Sequence, residues 1–143
     1  MTYNQIVKEI TTKLTAHPLI KTVKFAPPTN WLNWDDQPVF PVACFAINSG
    51  QLNAGREQVF SIQMWFLDKS GLDGEFETEV TSDQHSIAAD VISNLRKLSN
   101  AYQIDTLINW DAISEKYEDY LTGVGLTFNI FTTSKFDACD ISL

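Results

Sequence analysis

Few residues of this chain have the types and spacing that catalysis or metal binding requires. The two histidines, His17 and His85, do not stand four residues apart and belong to no Cys/His cluster, so no zinc site is predicted. Cys44 lies within an apolar run without a nearby base, which favours a core residue over a nucleophile. A G-x-S-x-G elbow is absent. The sequence therefore predicts no catalytic, cofactor-binding or metal-binding residues.

Three further motifs have plainer interpretations than chemistry. G-V-G-L-T-F at 123–128 fails the dinucleotide-binding pattern, because Phe128 stands where the third glycine is required. The acidic loop D-K-S-G-L-D-G lacks the ligand spacing and closing glutamate of an EF-hand. Asp35–Asp36 and Glu118–Asp119 would act as acid and base only around a shared pocket, and each pair also fits a turn.

The clearest element is an amphipathic helix predicted from Thr81 to Leu98. Thr81 or Ser82 is expected to cap its start, and Gln84 stands three residues after Thr81, as a capping box requires. Apolar residues then recur at steps of three and four, which gives the helix one buried stripe: Ile87, Ala88, Val91, Ile92, Leu95 and Leu98.

Strands are predicted where apolar and polar residues alternate. Gly123–Phe131 and Glu57–Asp68 each show a period of two, which gives one apolar and one polar face. Val39–Ile47 is apolar on both faces and is predicted to be buried on both, with Pro41 near its start or at an edge. We interpret the ambiguous region Ile104–Tyr117 as the partner of the last strand.

The remaining segments complete the predicted order of helix, strand, hairpin, helix, hairpin. Ile6, Ile10 and Leu14 mark a first helix that ends at His17–Pro18, and Thr22–Phe25 is a candidate short strand. Asn48–Glu57 is rich in turn formers and predicts a long hairpin whose tip projects from the body. The predicted fold class is α+β, with a mixed, mainly antiparallel sheet and two principal helices packed on one face.

Length and composition indicate one domain spanning residues 1–143. With 44% hydrophobic residues in 143, the chain is long enough to bury a substantial core. Two cysteines, Cys44 and Cys139, do not make a disulfide framework, and no signal-peptide pattern is found, so a reducing cytoplasmic origin is expected. The longest apolar run is too short to span a membrane, and no membrane partner is expected.

Charge is distributed unevenly along the chain, whose net charge is −8. The first 30 residues are basic, with Lys8, Lys13, Lys21 and Lys24 against Glu9. The densest acidic stretch comprises Asp68, Asp73, Glu75, Glu77, Glu79 and Asp83. Such a surface repels phosphate, which argues against nucleic-acid binding there. It is either a solvated loop, a surface facing a channel in several copies, or a partner for the basic segment in a head-to-tail interface.

Large aromatic side chains occupy unexpected positions. Trp31 and Trp34 lie in a loop rich in proline and asparagine, where they either cap the edge of the core or contact a partner. Trp65 and Phe131 fall on the otherwise polar faces of their predicted strands. This placement favours a second buried surface supplied by another subunit.

The layout resembles the small tail-terminator or tail-completion proteins of tailed bacteriophages. The resemblance is carried by H-P-L-I-K-T-V after the first helix, F-S-I-Q-M-W-F-L-D, the capped T-S-D-Q helix and the closing Y-E-D-Y-L-T-G-V-G-L-T-F-N-I-F. It implies a structural virion protein without catalytic residues or cofactors. It also implies a ring of six subunits, or of twelve, at the head–tail junction. Related folds also serve as neck rings there, including in crAss-like phages.

The resemblance also implies partners and contact residues. The partners would be the portal or connector ring and tail-tube or tail-hub proteins, with DNA passing through unbound. Interface candidates are Trp31, Trp34, Asn53, Arg56, Trp65 and Phe131, and channel-facing candidates are Asp73, Glu75, Glu77 and Glu79. Competing functions are a small cytoplasmic enzyme or ligand-binding domain with a carboxylate-lined pocket, and a non-viral adaptor.

Overall fold

The structure is a computed structural model that describes residues 2–28, 38–54, 57–69, 77–97, 102–116 and 121–133. These residues form two helices and six strands. They follow the order α1 (Tyr3–Thr15), β1 (Thr22–Lys24), β2 (Val42–Leu52), β3 (Glu57–Lys69), α2 (Glu77–Arg96), β4 (Tyr102–Ile104), β5 (Asn109–Lys116) and β6 (Leu121–Thr133). The predicted α+β fold is confirmed, and β4 is a short strand that was not predicted separately.

The strands form one mixed sheet with β3 and β6 at its centre. These two strands pair antiparallel over their whole length, from Glu57↔Thr133 to Lys69↔Leu121. β2 pairs antiparallel with the other side of β3, and β1 runs parallel to the first three residues of β2. β4 and β5 pair antiparallel with successive parts of β6. The sheet therefore has β1 and β2 on one side and β4 and β5 on the other.

Both helices pack on one face of the sheet, which we call the helix face. The stripes predicted for them are buried: Ile6, Ile10 and Leu14 from α1, and Ile87, Ala88, Val91, Ile92 and Leu95 from α2. They meet alternate strand residues, of which Phe45, Met64, Phe66 and Phe128 are among the largest fully buried side chains. Leu98, the last predicted member of the stripe, lies outside the described residues.

The opposite face, which we call the open face, carries a smaller core at one end. Val42, Cys44, Leu67, Ile113 and Leu121 form this second cluster, and Trp65 and Phe40 pack against it half-buried. Cys44 is fully buried, as predicted for a core cysteine. Because both faces are buried along Val42–Ile47, the prediction of a strand buried on both faces is confirmed there. Val39 is 67% exposed and Pro41 precedes the strand.

The predicted start of α2 at Thr81 is wrong, because the helix already begins at Glu77. Gln84 is a buried residue of the helix interior instead of a capping residue. The capping box lies at α1, where the Thr2 hydroxyl accepts from the Gln5 amide at 3.2 Å and the Thr2 amide donates to Gln5 Oε1 at 2.8 Å. Glu77 and Glu79 stabilise the first turn of α2 through the helix dipole.

The other predicted elements lie close to their expected bounds. β5 and β4 together confirm the region from Ile104 onward as the partner of the last strand. The predicted hairpin is present, but its turn is shorter than expected because Asn48–Leu52 belong to β2. Arg56, predicted to lie in that turn, is outside the described residues.

Candidate functional site

The end of the sheet formed by the β2–β3 hairpin is the candidate functional site. The backbone N–H of Asn53 donates to the carbonyl oxygen of Glu57 at 2.8 Å, which brings the two strands together at the turn. Asn48–Leu52 are all exposed, and Leu52 exposes 85% of its surface. These residues extend past the stretch of β2 that the core covers.

A bulge in β2 determines which hairpin side chains lie on each face. The register with β3 shifts between Ile47 and Ser49, so Asn48 is an extra residue. Without the bulge, Gly50 and Leu52 would lie on the open face. With it, Gly50 pairs with Phe60, and the exposed Leu52 side chain lies on the helix face.

On the helix face, the hairpin and the start of α1 enclose what we call the apolar groove. It has a cavity volume of about 320 Å³, and its lining includes Tyr3, Ile47, Gly50, Leu52 and Phe60. Tyr3 stands 6.3 Å from Phe60 between ring centroids, and its hydroxyl donates to the Ile47 carbonyl oxygen at 3.5 Å. The groove therefore has an aromatic wall next to the outer edge of β2.

Phe25 extends this aromatic wall at the point where β1 ends. Its ring centroid lies 4.9 Å from that of the buried Phe45 and 6.3 Å from that of Tyr3. Tyr3 and Phe25 nevertheless expose 44% and 45% of their surfaces. Rings that are anchored on one side and exposed on the other suit a protein contact, since aromatic residues are enriched in interfaces.

On the open face, the same hairpin lines what we call the polar groove, also of about 320 Å³. Its lining includes Asn53, Ser61, Asn129 and Phe131, and the Ser61 hydroxyl donates to Asn129 Oδ1 at 2.8 Å. Two of the predicted interface residues, Asn53 and Phe131, thus meet in one groove. Trp65 does not join them, because it packs on the second core cluster of the open face.

Trp31 and Trp34, the other predicted interface tryptophans, lie outside the described residues. The exposed tryptophan that the structure does describe is Trp110 of β5, which exposes 48% of its surface. Its ring contacts that of His85 on α2, with 4.8 Å between the centroids. Leu107, just before β5, is 78% exposed. Both Leu107 and Trp110 lie in a region that was predicted to be extended, but no periodicity in the sequence indicated that they would be exposed together.

The connection between β4 and β5 is fixed by side-chain hydrogen bonds. Arg96 at the end of α2 donates to the carbonyl oxygens of Asp105 and Thr106, both at 3.0 Å. The Asp105 carboxylate accepts from the Asn129 backbone N–H at 2.9 Å. This carboxylate takes the place of a ladder carbonyl where β4 ends.

The described residues of the acidic stretch are divided between β3, which contains Asp68, and α2, which contains Glu77, Glu79 and Asp83. Glu79 is exposed and Glu77 half-buried on the first turn of α2, whereas Asp73 and Glu75 lie outside the described residues. Burial raises the pKa of Asp68, at the end of β3; the Lys69 backbone N–H opposes this shift, and the charge of Asp83 adds to it. The expectation of one acidic loop over 68–83 is therefore wrong from Glu77 onward, where the chain is helical.

His17, a possible acid, base or metal ligand, contacts another side chain of the fold. His17 Nε2 lies 3.1 Å from Asp90 Oδ2 and joins the end of α1 to α2. Within the described ranges, no three His, Cys, Asp or Glu residues cluster as metal ligands. The described residues that line the two grooves include no carboxylate. Neither described helix has the length and apolar character needed to cross a membrane.

Comparison with known proteins adds no family assignment. No protein-family model matches the chain, and no curated protein is significantly similar to it in sequence.

Proposed function

We propose that this chain is a structural virion protein of the tail-terminator or neck-ring type. In this role it forms a ring at the head–tail junction, docks the tail on the connector and lets DNA pass. The observation that supports it best is the exposed end of the β2–β3 hairpin, with the apolar groove on one face and the 85% exposed Leu52 beside it. A groove with an aromatic wall beside an exposed leucine suits a protein contact, because aromatic residues are enriched in interfaces.

The electrostatics are consistent with passage of DNA. The net charge is −8, and Glu77 and Glu79 concentrate negative charge at the start of α2. In a ring, several copies of this acidic turn around one lumen would repel phosphate within the screening length of about 8 Å at physiological salt. Asp73 and Glu75 lie outside the described residues, and the proposal keeps the sequence prediction that they also face the lumen, so that DNA slides without specific binding.

The proposed assembly has six copies, with twelve as the alternative, and lies in the neck or tail of the virion after synthesis in the host cytoplasm. Its partners are the portal or connector ring on one side and tail-tube or tail-hub proteins on the other. No catalytic step and no cofactor enter this function. Function then depends on the subunit contact and on the two end surfaces of the ring.

Native mass spectrometry and negative-stain electron microscopy of the purified chain test the proposal. We expect closed rings of six or twelve copies at micromolar concentration. Leu52→Lys, which places a charge beside the apolar groove, should shift the population toward monomers. Leu19→Lys is the matched control, since Leu19 is also exposed, at 56%, but follows the opposite end of α1. A monomer that carries a bound small molecule would contradict the ring and favour the enzyme or binding function.

A further inference from the structure

Two edges of the sheet expose strands without a partner among the described residues. On one side, β1 pairs only with Val42–Cys44 of β2, and Asn48–Leu52 continue beyond it and are exposed. On the other side, β5 pairs with β6 alone, and Asn109–Ala112 are exposed. Soluble proteins usually protect such edges with lysine or proline, and neither residue type occurs in these two segments.

The strand directions make the two edges compatible. β2 is antiparallel to β3, β3 to β6, and β6 to β5, so β5 runs opposite to β2. If a second copy is moved sideways without being turned over, its β5 lies antiparallel beside β2 of the first copy. Antiparallel ladders are the more stable kind, and this arrangement extends one sheet through both copies.

Apolar side chains fit the same arrangement. Trp110 pairs with Leu126 on the helix face, and the apolar groove beside β2 is also on the helix face. β1 occupies the edge at Val42–Cys44, so an incoming strand is displaced toward the hairpin tip, where the groove lies. Continuing the sheet with its faces aligned therefore carries Trp110 of one copy to the aromatic wall of the next.

Exposed apolar side chains at the two edges supply part of the area that a stable contact needs. Tyr3, Phe25 and Leu52 flank the β2 edge, and Leu107 and Trp110 flank the β5 edge, each with 44% or more of its surface exposed. At roughly 100 Å² for each such large side chain, joining the edges buries about 500 Å² of apolar surface. The backbones of both strands and their neighbours add to this, toward the total of about 1,200 Å² found for the smallest specific interfaces.

We infer that Asn48–Leu52 of β2 receive Asn109–Ala112 of β5 from a second copy of this chain as an antiparallel strand, with Trp110 seated in the apolar groove. This contact is head-to-tail, and repetition of a head-to-tail contact closes a ring when the rotation allows it. It rests on the proposed ring and names the surfaces that would build it. A symmetric β2–β2 dimer would leave Trp110 and Leu107 exposed.

Disulfide cross-linking distinguishes these arrangements. Gln51→Cys and Asp111→Cys place thiols on the open face of the two edges, in a Cys139→Ser background with Cys44 left buried. Within one chain three strand spacings, about 14 Å, separate the edges. A disulfide requires Cα atoms within about 7 Å, so the two cysteines can join only between copies.

The head-to-tail contact predicts a ladder of dimers, trimers and larger species from the double variant under mild oxidation, and no ladder from either single variant. Efficient dimers from Gln51→Cys alone would instead show β2–β2 pairing and overturn the inference. Rings in native mass spectra without cross-links in the double variant would overturn the strand pairing but leave the proposed function standing. A monomer without cross-links would overturn both.

Trp110→Ala provides an independent measurement. We expect at least a tenfold weaker self-association, measured by analytical ultracentrifugation, because an aromatic residue seated in a groove is typical of an interface hot spot. Leu19→Ala removes a comparable exposed side chain away from both edges and should leave self-association unchanged. The urea unfolding midpoint of each variant shows whether the monomer fold is retained. Equal association of the two variants would overturn the role given to Trp110.

Discussion

Two glycines in β6 allow a close test of how tightly the central strands pack. Gly123 and Gly125 stand two residues apart and both face the open side of the sheet. A Cβ atom at Gly123 would overlap the backbone carbonyl oxygen of Phe66 and lie 3.1 Å from Leu67 Cα. A Cβ atom at Gly125 would meet only side chains, at 3.4 Å from Trp65 Cδ1 and 3.5 Å from Ile113 Cδ1. We therefore expect Gly123→Ala to destabilise the fold strongly and Gly125→Ala to change its stability little.

The magnitudes follow from what must move. At Gly123 the neighbouring β3 backbone has to move away to make room for the methyl group, and this overpacking costs about 1–3 kcal/mol. The movement also breaks one or two ladder hydrogen bonds, each of which contributes about 1 kcal/mol. Alanine also lowers the conformational entropy of the unfolded chain, which stabilises the folded state by about 0.5–1 kcal/mol. Gly123→Ala should therefore lower the free energy of unfolding by about 1–4 kcal/mol. At Gly125 the side chains tolerate the methyl group, so the change should lie within about 1 kcal/mol of zero.

Urea unfolding followed by tryptophan fluorescence and far-UV circular dichroism measures both variants. A loss of about 3 kcal/mol lowers the midpoint by roughly 1–2 M urea when the m-value is about 2 kcal/mol/M. The m-value should stay the same in both variants, which would exclude a change in the extent of unfolding. Equal midpoints for Gly123→Ala and Gly125→Ala would refute the close approach of β3 and β6 at this position.

Two further predictions concern the core and the pH dependence of stability. Phe128→Ala and Ile92→Ala should each lower the free energy of unfolding by about 2–5 kcal/mol, because both side chains lie in the helix-face core. Thermal or urea melts measure this loss, and unchanged melts in both variants would contradict the packing. Burial, helped by the charge and hydrogen bond of Glu9, raises the pKa of Tyr102 to about 12 from 10. The unfolded chain then loses this proton first, so stability is complete below pH 10 and falls by about 1.4 kcal/mol per pH unit between 10 and 12. Tyr102→Phe should remove that slope from urea midpoints measured at pH 8–12, and parallel pH profiles for the two proteins would contradict it.

Periodicity was sufficient to predict most of the fold. The stripes of α1 and α2, and the alternation in β3 and β6, depend on which side chains must leave water, and the structure buries those side chains. The two hairpin pairings, β2 with β3 and β5 with β6, were predicted, whereas the pairing of β3 with β6, which are distant in sequence, was not. The split between β4 and β5 was not predictable, because it depends on the hydrogen bonds that Arg96 makes to Asp105 and Thr106 across the fold.

The start of α2 shows where local signals are insufficient. The pattern T-x-x-Q occurs at Thr2–Gln5 and again at Thr81–Gln84. At α1 it caps the helix, but at α2 the chain is already helical from Glu77, so Thr81 has no free amide to accept from. A capping motif indicates a helix start only where the preceding residues are not helical, and the sequence around the motif alone does not determine that.

The candidate site was predicted in part. Turn formers at 48–57 located the projecting hairpin, and Asn53 and Phe131 were among the residues selected for contacts. The exposure of Trp110 was not predicted, because it depends on where the sheet ends and on His85 beside it. The bulge at Asn48, which moves Leu52 to the helix face, also had no signature in the sequence.

The long pairing of β3 with β6 has a consequence for how the chain folds. Its residue pairs are separated by 52 positions at Lys69↔Leu121 and by 76 at Glu57↔Thr133, so the central ladder consists of non-local contacts. Such contacts slow folding, because a long loop must close before the strands stabilise each other. During synthesis β3 leaves the ribosome well before β6 and has one unpaired edge, with Ile62, Met64 and Phe66 unburied. Until β6 arrives, the nascent chain is therefore most prone to aggregate along β3.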